Sequence, residues 1–242
     1  MLSFNSEQYL PHLSIDCVIF GYQSKALKVL VSKIAVEDQV YALTGGFIQK
    51  NESVDQAAHH IVEDRTGIRD IYLEQYQIFG EIDRSQNNQH AVSLVNRSNE
   101  SEKEKQGIRN WFEQRFISIG FYALLDINNY QPEKSAFDES LEWYAIDQLP
   151  LMILDHNEMV AQALSSLRQN LNKNIIILNL LPETFTMKEI QDLYETIFGE
   201  SYARNNFQRK ILEMNVLERL EKKFTGAANK APYLYRFKPT RN

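Results

Sequence analysis

Short apolar runs and alternating stretches succeed one another along the chain. Ile15 to Phe20 is an apolar run bounded by Gly21, and Leu27 to Val31 alternates as a half-buried strand does. Thr44-Gly45-Gly46 reads as punctuation. A helix is predicted next: Ser53 and Gln56 form a capping-box pair, and Val54, Ala57, Ala58, Ile61 and Val62 recur at helical spacing before Gly67 stops the element. Strand-like runs return at Ile71 to Phe79, Phe116 to Leu125 and Trp143 to Ile146, and Met159, Ala163, Leu164 and Leu167 mark a second amphipathic helix. Between two of these strands, Asn96 to Gln114 is dominated by Asn, Ser, Glu, Lys and Arg and reads as a polar, mobile loop, with Trp111 and Phe112 docking onto the surface.

A boundary is expected near Asn172-Lys173-Asn174. Beyond it, Thr186 and Glu189 fit a capping box, with Ile190, Leu193, Tyr194 and Ile197 as the buried face of a helix ended by Gly199. A second helix from Tyr202 to Met214 would bury Ala203, Phe207, Ile211 and Met214 and turn Arg204, Asn205, Gln208 and Arg209 outward. Then come Val216-Leu217, a basic loop from Lys222 to Ala231, and the alternating run Tyr233 to Phe237. Helix, turn, helix and two-stranded hairpin is the order of a winged helix-turn-helix, whose second helix fits a DNA major groove while the basic loop lies on the backbone.

Composition narrows this picture. With 242 residues, 43% hydrophobic and 24% charged, the chain excludes wholesale disorder and has room for one large domain or two small ones. Its longest apolar runs are too short to span a bilayer, and its start lacks the pattern of a secretory signal, so a cytoplasmic location with no membrane partner is expected. A single cysteine, Cys17, excludes an internal disulfide and a multi-cysteine zinc site. Charge is distributed unevenly. Residues 1–173 hold 15 basic against 24 acidic residues, or −9, whereas residues 201–242 hold 10 against 3, or +7. A basic tail on an acidic body suits an anionic partner.

Gly46, five residues, Glu52, and a helix ending at Gly67-Ile68 resemble the Nudix box, G-x5-E-x7-R-E-U-x-E-E-x-G-U. In Nudix hydrolases the helical glutamates bind Mg²⁺, which neutralises a pyrophosphate under attack by water. Here the three acidic positions hold Ile61, Asp64 and Arg65, and the box arginine is His60. Ile61 offers no oxygen, and Arg65 sets a fixed cation where a metal would sit. The expectation is a domain that binds without cutting: not an enzyme, with no catalytic residue, metal or cofactor. Phe79 to Arg84, Ser118 to Leu124 and Leu154-Asp155-His156 resemble segments of Nudix-related transcriptional regulators, which join a Nudix-like sensor to a C-terminal winged helix-turn-helix.

That resemblance implies an α+β chain: residues 1–173 as a Nudix-like α/β/α sandwich with a mixed sheet and a polar insertion at about 86–114, and residues 174–242 as the DNA-binding domain. The family senses ADP-ribose or pentose sugars. This chain most resembles the L-arabinose-responsive branch, which implies a sugar-responsive repressor, homodimeric on operator DNA. Aromatics and carboxylates suit a neutral sugar held by stacking and hydroxyl hydrogen bonds. Expected ligand residues are Phe47, Gln49, Asp83, Arg84, Tyr122, Asp155 and His156. Expected DNA residues are Arg204, Asn205, Asn206, Gln208, Arg209, Lys210, Lys222, Lys223 and Lys230. The alternatives are a hydrolase of ADP-ribose or a nucleotide sugar, a regulator sensing ADP-ribose, and an adaptor whose tail meets an acidic protein.

Overall fold

A computed structural model describes residues 5–36, 39–84, 95, 101–171, 180–223 and 231–238. The expected boundary at 172–174 and the loop lysine Lys230 lie outside these residues. Seven strands form one mixed sheet: β1 (Tyr9–Gln23), β2 (Ala26–Ile34), β3 (Val40–Ala42), β4 (Thr44–Gln49), β5 (Glu74–Phe79), β6 (Ile117–Asp126) and β7 (Asp138–Ala145). The main path runs β3-β2-β1-β6-β5, with β4 paired to β1 and β7 to β2. β1 and β6 are parallel from Leu13↔Ile117 to Tyr22↔Asp126, and the other pairs are antiparallel.

Strand alternation gives the sheet two apolar faces. Ile15, Cys17, Ile19 and Phe121 pack against α1 (Val54–Thr66), whose Ala57, Ala58, Ile61 and Val62 form the predicted stripe. Burying Ile61 or Val62 contributes about 2 kcal/mol each. The capping box of Ser53 and Gln56 opens α1, and Gly67, at φ 69°, closes it in the left-handed region that glycine enters without strain. On the opposite face Val18, Phe20, Tyr122 and Leu124 meet Met159, Val160, Ala163 and Leu167 of α3 (His156–Asn170).

Two expectations change here. Thr44-Gly45-Gly46 is strand rather than turn, and the polar stretch after residue 100 contains a helix, α2 (Glu102–Phe112). Ser101 and Glu104 cap α2 reciprocally, and its buried Ile108 and ring contacts from Trp111 and Phe112 supply the apolar side that a reading for polarity overlooked.

The C-terminal unit is β8 (Phe185–Thr186), α4 (Met187–Phe198), α5 (Arg204–Glu213), β9 (Leu217–Lys222) and β10 (Tyr233–Phe237), with sheet order β8-β10-β9. Ile190, Leu193, Tyr194, Ile197, Phe207 and Ile211 are buried as predicted, whereas Ala203 is exposed because it is the N-cap of α5 rather than part of its apolar face. The apolar core runs without a break from the sheet through α3 into this unit. Among the described residues no helix is long and apolar enough to cross a membrane.

Candidate functional site

Gly45 stands opposite Asp16 on neighbouring strands, and a Cβ at Gly45 would collide with Asp16 Oδ1. The glycine is required by that close approach. Asp16 is the centre of a buried polar cluster. Arg84 Nη2 donates to Asp16 Oδ2 at 3.1 Å, and Arg84 Nε donates to Asp155 Oδ1 and Oδ2 at 2.9 and 2.8 Å. The Ser118 hydroxyl donates to Asp16 Oδ2 at 2.6 Å. His156 Nδ1 accepts the Leu43 N–H at 3.0 Å, so the neutral ring carries its proton on Nε2, 3.6 Å from Asp16 Oδ1.

Burial alone would raise the Asp16 carboxyl, but its electrostatic interactions with the His156 side chain and the Arg84 guanidinium, together with the hydrogen bonds from Ser118 and Arg84, outweigh it and hold the group below its ordinary value. Burial pushes His156 down, against the pull of Asp16. For Arg84 burial opposes the charge, yet Asp16 and Asp155 hold it charged. Two carboxylates, one guanidinium and a neutral imidazole leave the cluster at net −1. Asp155 occupies the N-cap position of α3 without a side-chain cap bond, because its carboxylate is turned to Arg84. Leu154, just before it, is held at φ 52°, a costly conformation for a branched side chain.

The structure therefore brings Arg84, Asp155 and His156 together and adds Asp16 and Ser118. Asp16 was hidden inside an apolar run, and an acid in the interior of such a run was the available signal. Asp83 is exposed beside the cluster. Tyr122 corrects an expectation: it has no exposed surface and packs on Phe20 and Tyr76, a core residue rather than a cleft residue. Phe47 is half-buried in an aromatic group, its ring 5.3 to 6.0 Å from those of Tyr9, Trp111, Phe112 and Phe116.

Gln49 belongs to the remnant of the box. Its backbone N–H donates to Glu52 Oε1 at 2.7 Å, and His60 lies between Glu52 Oε2, 3.2 Å from Nδ1, and Asp64 Oδ2, 2.9 Å from Nε2. The residues do not fit a divalent cation. Arg65 Nη2 reaches 2.6 Å from Asp138 Oδ1 and its Nη1 donates to the Gly45 carbonyl at 3.3 Å, so a guanidinium fills the position of a ligand carboxylate. Asp138 is fully buried and also accepts from the Ser32 and Ser135 hydroxyls. Among the described residues no group of three or more His, Cys, Asp or Glu is gathered as a metal site needs.

In the C-terminal unit Arg204, Asn205, Asn206, Arg209 and Lys210 are exposed on α5, while Gln208 is half-buried beside Phe207 and Ile211. Lys222 is half-buried, with Nζ 5.4 Å from the Tyr233 ring, and the Arg219 guanidinium stacks on the same ring at 3.3 Å. Lys223 is exposed, its Nζ 3.7 Å from Glu189. Arg219 was not anticipated, because strand alternation inside a charged run is hard to phase from sequence.

A Nudix-like mixed-sheet fold carrying a buried charged cluster, joined to a C-terminal winged helix, defines the class of this chain. Residues 177–237 match the NrtR DNA-binding winged helix domain. Over 234 residues, 94% of this chain and 82% of the relative, it is 26% identical to the ADPR responsive transcriptional repressor NtrR of Acinetobacter baylyi. Its fold is similar to that of Shewanella oneidensis NrtR solved with a 27mer DNA, at TM-score 0.66 and 22% identity over 94% of each chain. It is also similar to a MutT/nudix family protein from Enterococcus faecalis, at TM-score 0.68 and 16% identity over 98% of this chain and 89% of that one. The chain thus shares with these proteins a Nudix-like mixed-sheet fold followed by a C-terminal winged helix.

Proposed function

We propose that this protein is a transcriptional repressor whose Nudix-like domain binds ADP-ribose and thereby releases operator DNA. The observation that carries the reading is the match of residues 177–237 to a DNA-binding winged helix, with a cationic and amide-bearing face on α5 opposite its buried Phe207 and Ile211. ADP-ribose replaces the L-arabinose expected from the sequence because the Acinetobacter relative is named as ADP-ribose responsive. We divide the chain into a sensor, residues 1–173, and a DNA-binding unit, residues 174–242. A homodimer would present two α5 helices to successive major grooves. Gln49, exposed Asp83 and the accessible edge of Asp155 are the positions offered to the effector. Arg84 holds Asp155 from the buried side, its Nε donating to both carboxylate oxygens. Hydrolysis is not part of this reading, since Arg65 is committed to Asp138 where a metal ligand would be.

The test is fluorescence anisotropy of the full chain on DNA from its own upstream region, titrated with ADP-ribose and separately with L-arabinose. Nanomolar, salt-sensitive binding relieved by ADP-ribose supports the reading. Relief by L-arabinose alone restores the sugar reading. Mg²⁺-dependent breakdown of ADP-ribose that Asp64→Asn abolishes would replace the binding reading with the hydrolase.

A further inference from the structure

The two carboxylates that hold Arg84 belong to different elements, and both elements run to the same distant place. Asp16 is on β1, which continues from there for about 23 Å to its end at Gln23. Asp155 opens α3, a fifteen-residue helix about 22 Å long. At the far end of β1 the turn to β2 holds Ser24 and Lys25 at φ 50° and 63°. Lys25 Nζ lies 3.0 Å from Asp192 Oδ2 of α4, and the Lys25 carbonyl accepts the Thr196 hydroxyl at 3.3 Å. Near the far end of α3, Arg168 Nε donates to the Ile197 carbonyl at 2.8 Å, satisfying an orphan acceptor in the last turn of α4. From α4 the contact continues to the DNA-reading helix, with the Tyr194 and Phe207 rings 5.4 Å apart. Gln191 Nε2 ties the intervening turn by donating to the Tyr202 carbonyl at 2.9 Å.

We infer that Arg84 is a positioning residue, a latch that fixes β1 to the start of α3 and so sets how both bear on α4 of the winged helix. Arg84 Nη2 also approaches Met159 Sδ at 3.8 Å, and the Tyr76 hydroxyl donates to the Met159 carbonyl at 3.0 Å, so the latch and one tyrosine join the His156–Leu43 hydrogen bond in holding the first turn of α3. Arg84 itself is closed to solvent, at 2% side-chain exposure, whereas Asp155 keeps 19%. Asp155 is thus the member a ligand reaches, and a carboxylate in a net-negative cluster takes hydroxyl donors rather than phosphates. The chemical class is a vicinal diol, such as the ribose of ADP-ribose. Its hydroxyls compete with Arg84 Nε for Asp155, loosen the start of α3 and shift the joint on α4. The effector part of this inference rests on the proposed function, and the mechanical part stands without it.

Hydrogen–deuterium exchange on the full chain tests it with neither DNA nor ligand. Relative to the native chain, Asp155→Asn should speed exchange at residues 23–26 and 195–199 about fivefold or more, the lower bound of typical coupling between sites. Arg168→Met, made at the other end, should speed exchange at residues 155–160 by reciprocity. Arg84→Met should exceed Asp155→Asn at the same amides. If it fails to fold, the other two variants decide. Acceleration confined to the neighbourhood of each substitution overturns the latch. In anisotropy, ADP-ribose acting as strongly on Arg168→Met as on the native chain also overturns it. If the native chain binds no operator DNA while the variants show the remote exchange changes, the repressor is refuted and the latch stays in place.

Discussion

Arg65 shows how a single residue ties the box-like helix into a structural ion pair. Its guanidinium is partly exposed, and its partner Asp138 is fully buried. Removing the cation alone leaves a buried carboxylate with hydroxyl partners only, which costs about 3 kcal/mol or more. Arg65→Met should therefore lower the urea midpoint strongly, and adding Asp138→Asn should recover most of the loss. If the double variant is as unstable as the single, the ion pair is not what holds β7 to this corner. His156 makes a second prediction, with a defined sign. Burial holds its folded pKa below the ordinary 6.5, so as pH falls through that value the unfolded chain binds a proton that the folded chain refuses. Stability is fully present above 6.5 and declines below it. Asp16, held below 3.8, adds a further loss only at more acid pH. Native protein should show a lower urea midpoint at pH 5.5 than at 7.5, and His156→Gln, which keeps an acceptor for the Leu43 N–H, should flatten that difference. An unchanged slope in the variant would place the sensitivity elsewhere.

At the scale of elements, legibility followed local chemistry. Helices with a reciprocal cap and an apolar stripe were readable, as α1 and α4 show with Ser53/Gln56 and Thr186/Glu189. The same rule, applied to Ser101 and Glu104, would have found α2. Its charged residues outweighed the cap because most of the helix faces water. The long parallel pairing of β1 with β6 was not readable at all, since partners such as Asp16 and Gly120 are joined by topology rather than by spacing. The site suffers from the same gap. Asp155 and His156 were visible as neighbours in sequence, but Asp16 and Ser118 join them from strands 102 residues apart. Asp155 shows the converse: it stands at the N-cap position of α3, yet tertiary pairing with Arg84 claims the carboxylate that local sequence would assign to a cap.

At the scale of the molecule, charge and mechanics meet in the C-terminal unit. The +7 of residues 201–242 is set against the −9 of residues 1–173, so the chain's own body repels DNA while its tail attracts it. On the proposed function, that opposition would orient the protein with α5 toward the duplex. Each phosphate neutralised steepens the fall of log affinity with log salt by about 0.9. Arg209, exposed on α5, is placed for a phosphate or a base edge, and the two roles separate in one experiment. If Arg209→Ala weakens binding equally on operator and unrelated DNA and makes the salt slope shallower by about 0.9 per subunit, Arg209 holds phosphate. If it weakens the operator selectively and leaves the slope unchanged, it reads a base. In either case ADP-ribose affinity of the free variant should equal that of the native chain, because Arg209 is exposed on α5 and is no member of the latch. A loss of both affinities together would mean that the winged helix has come apart, and a loss of neither would remove α5 from the interface.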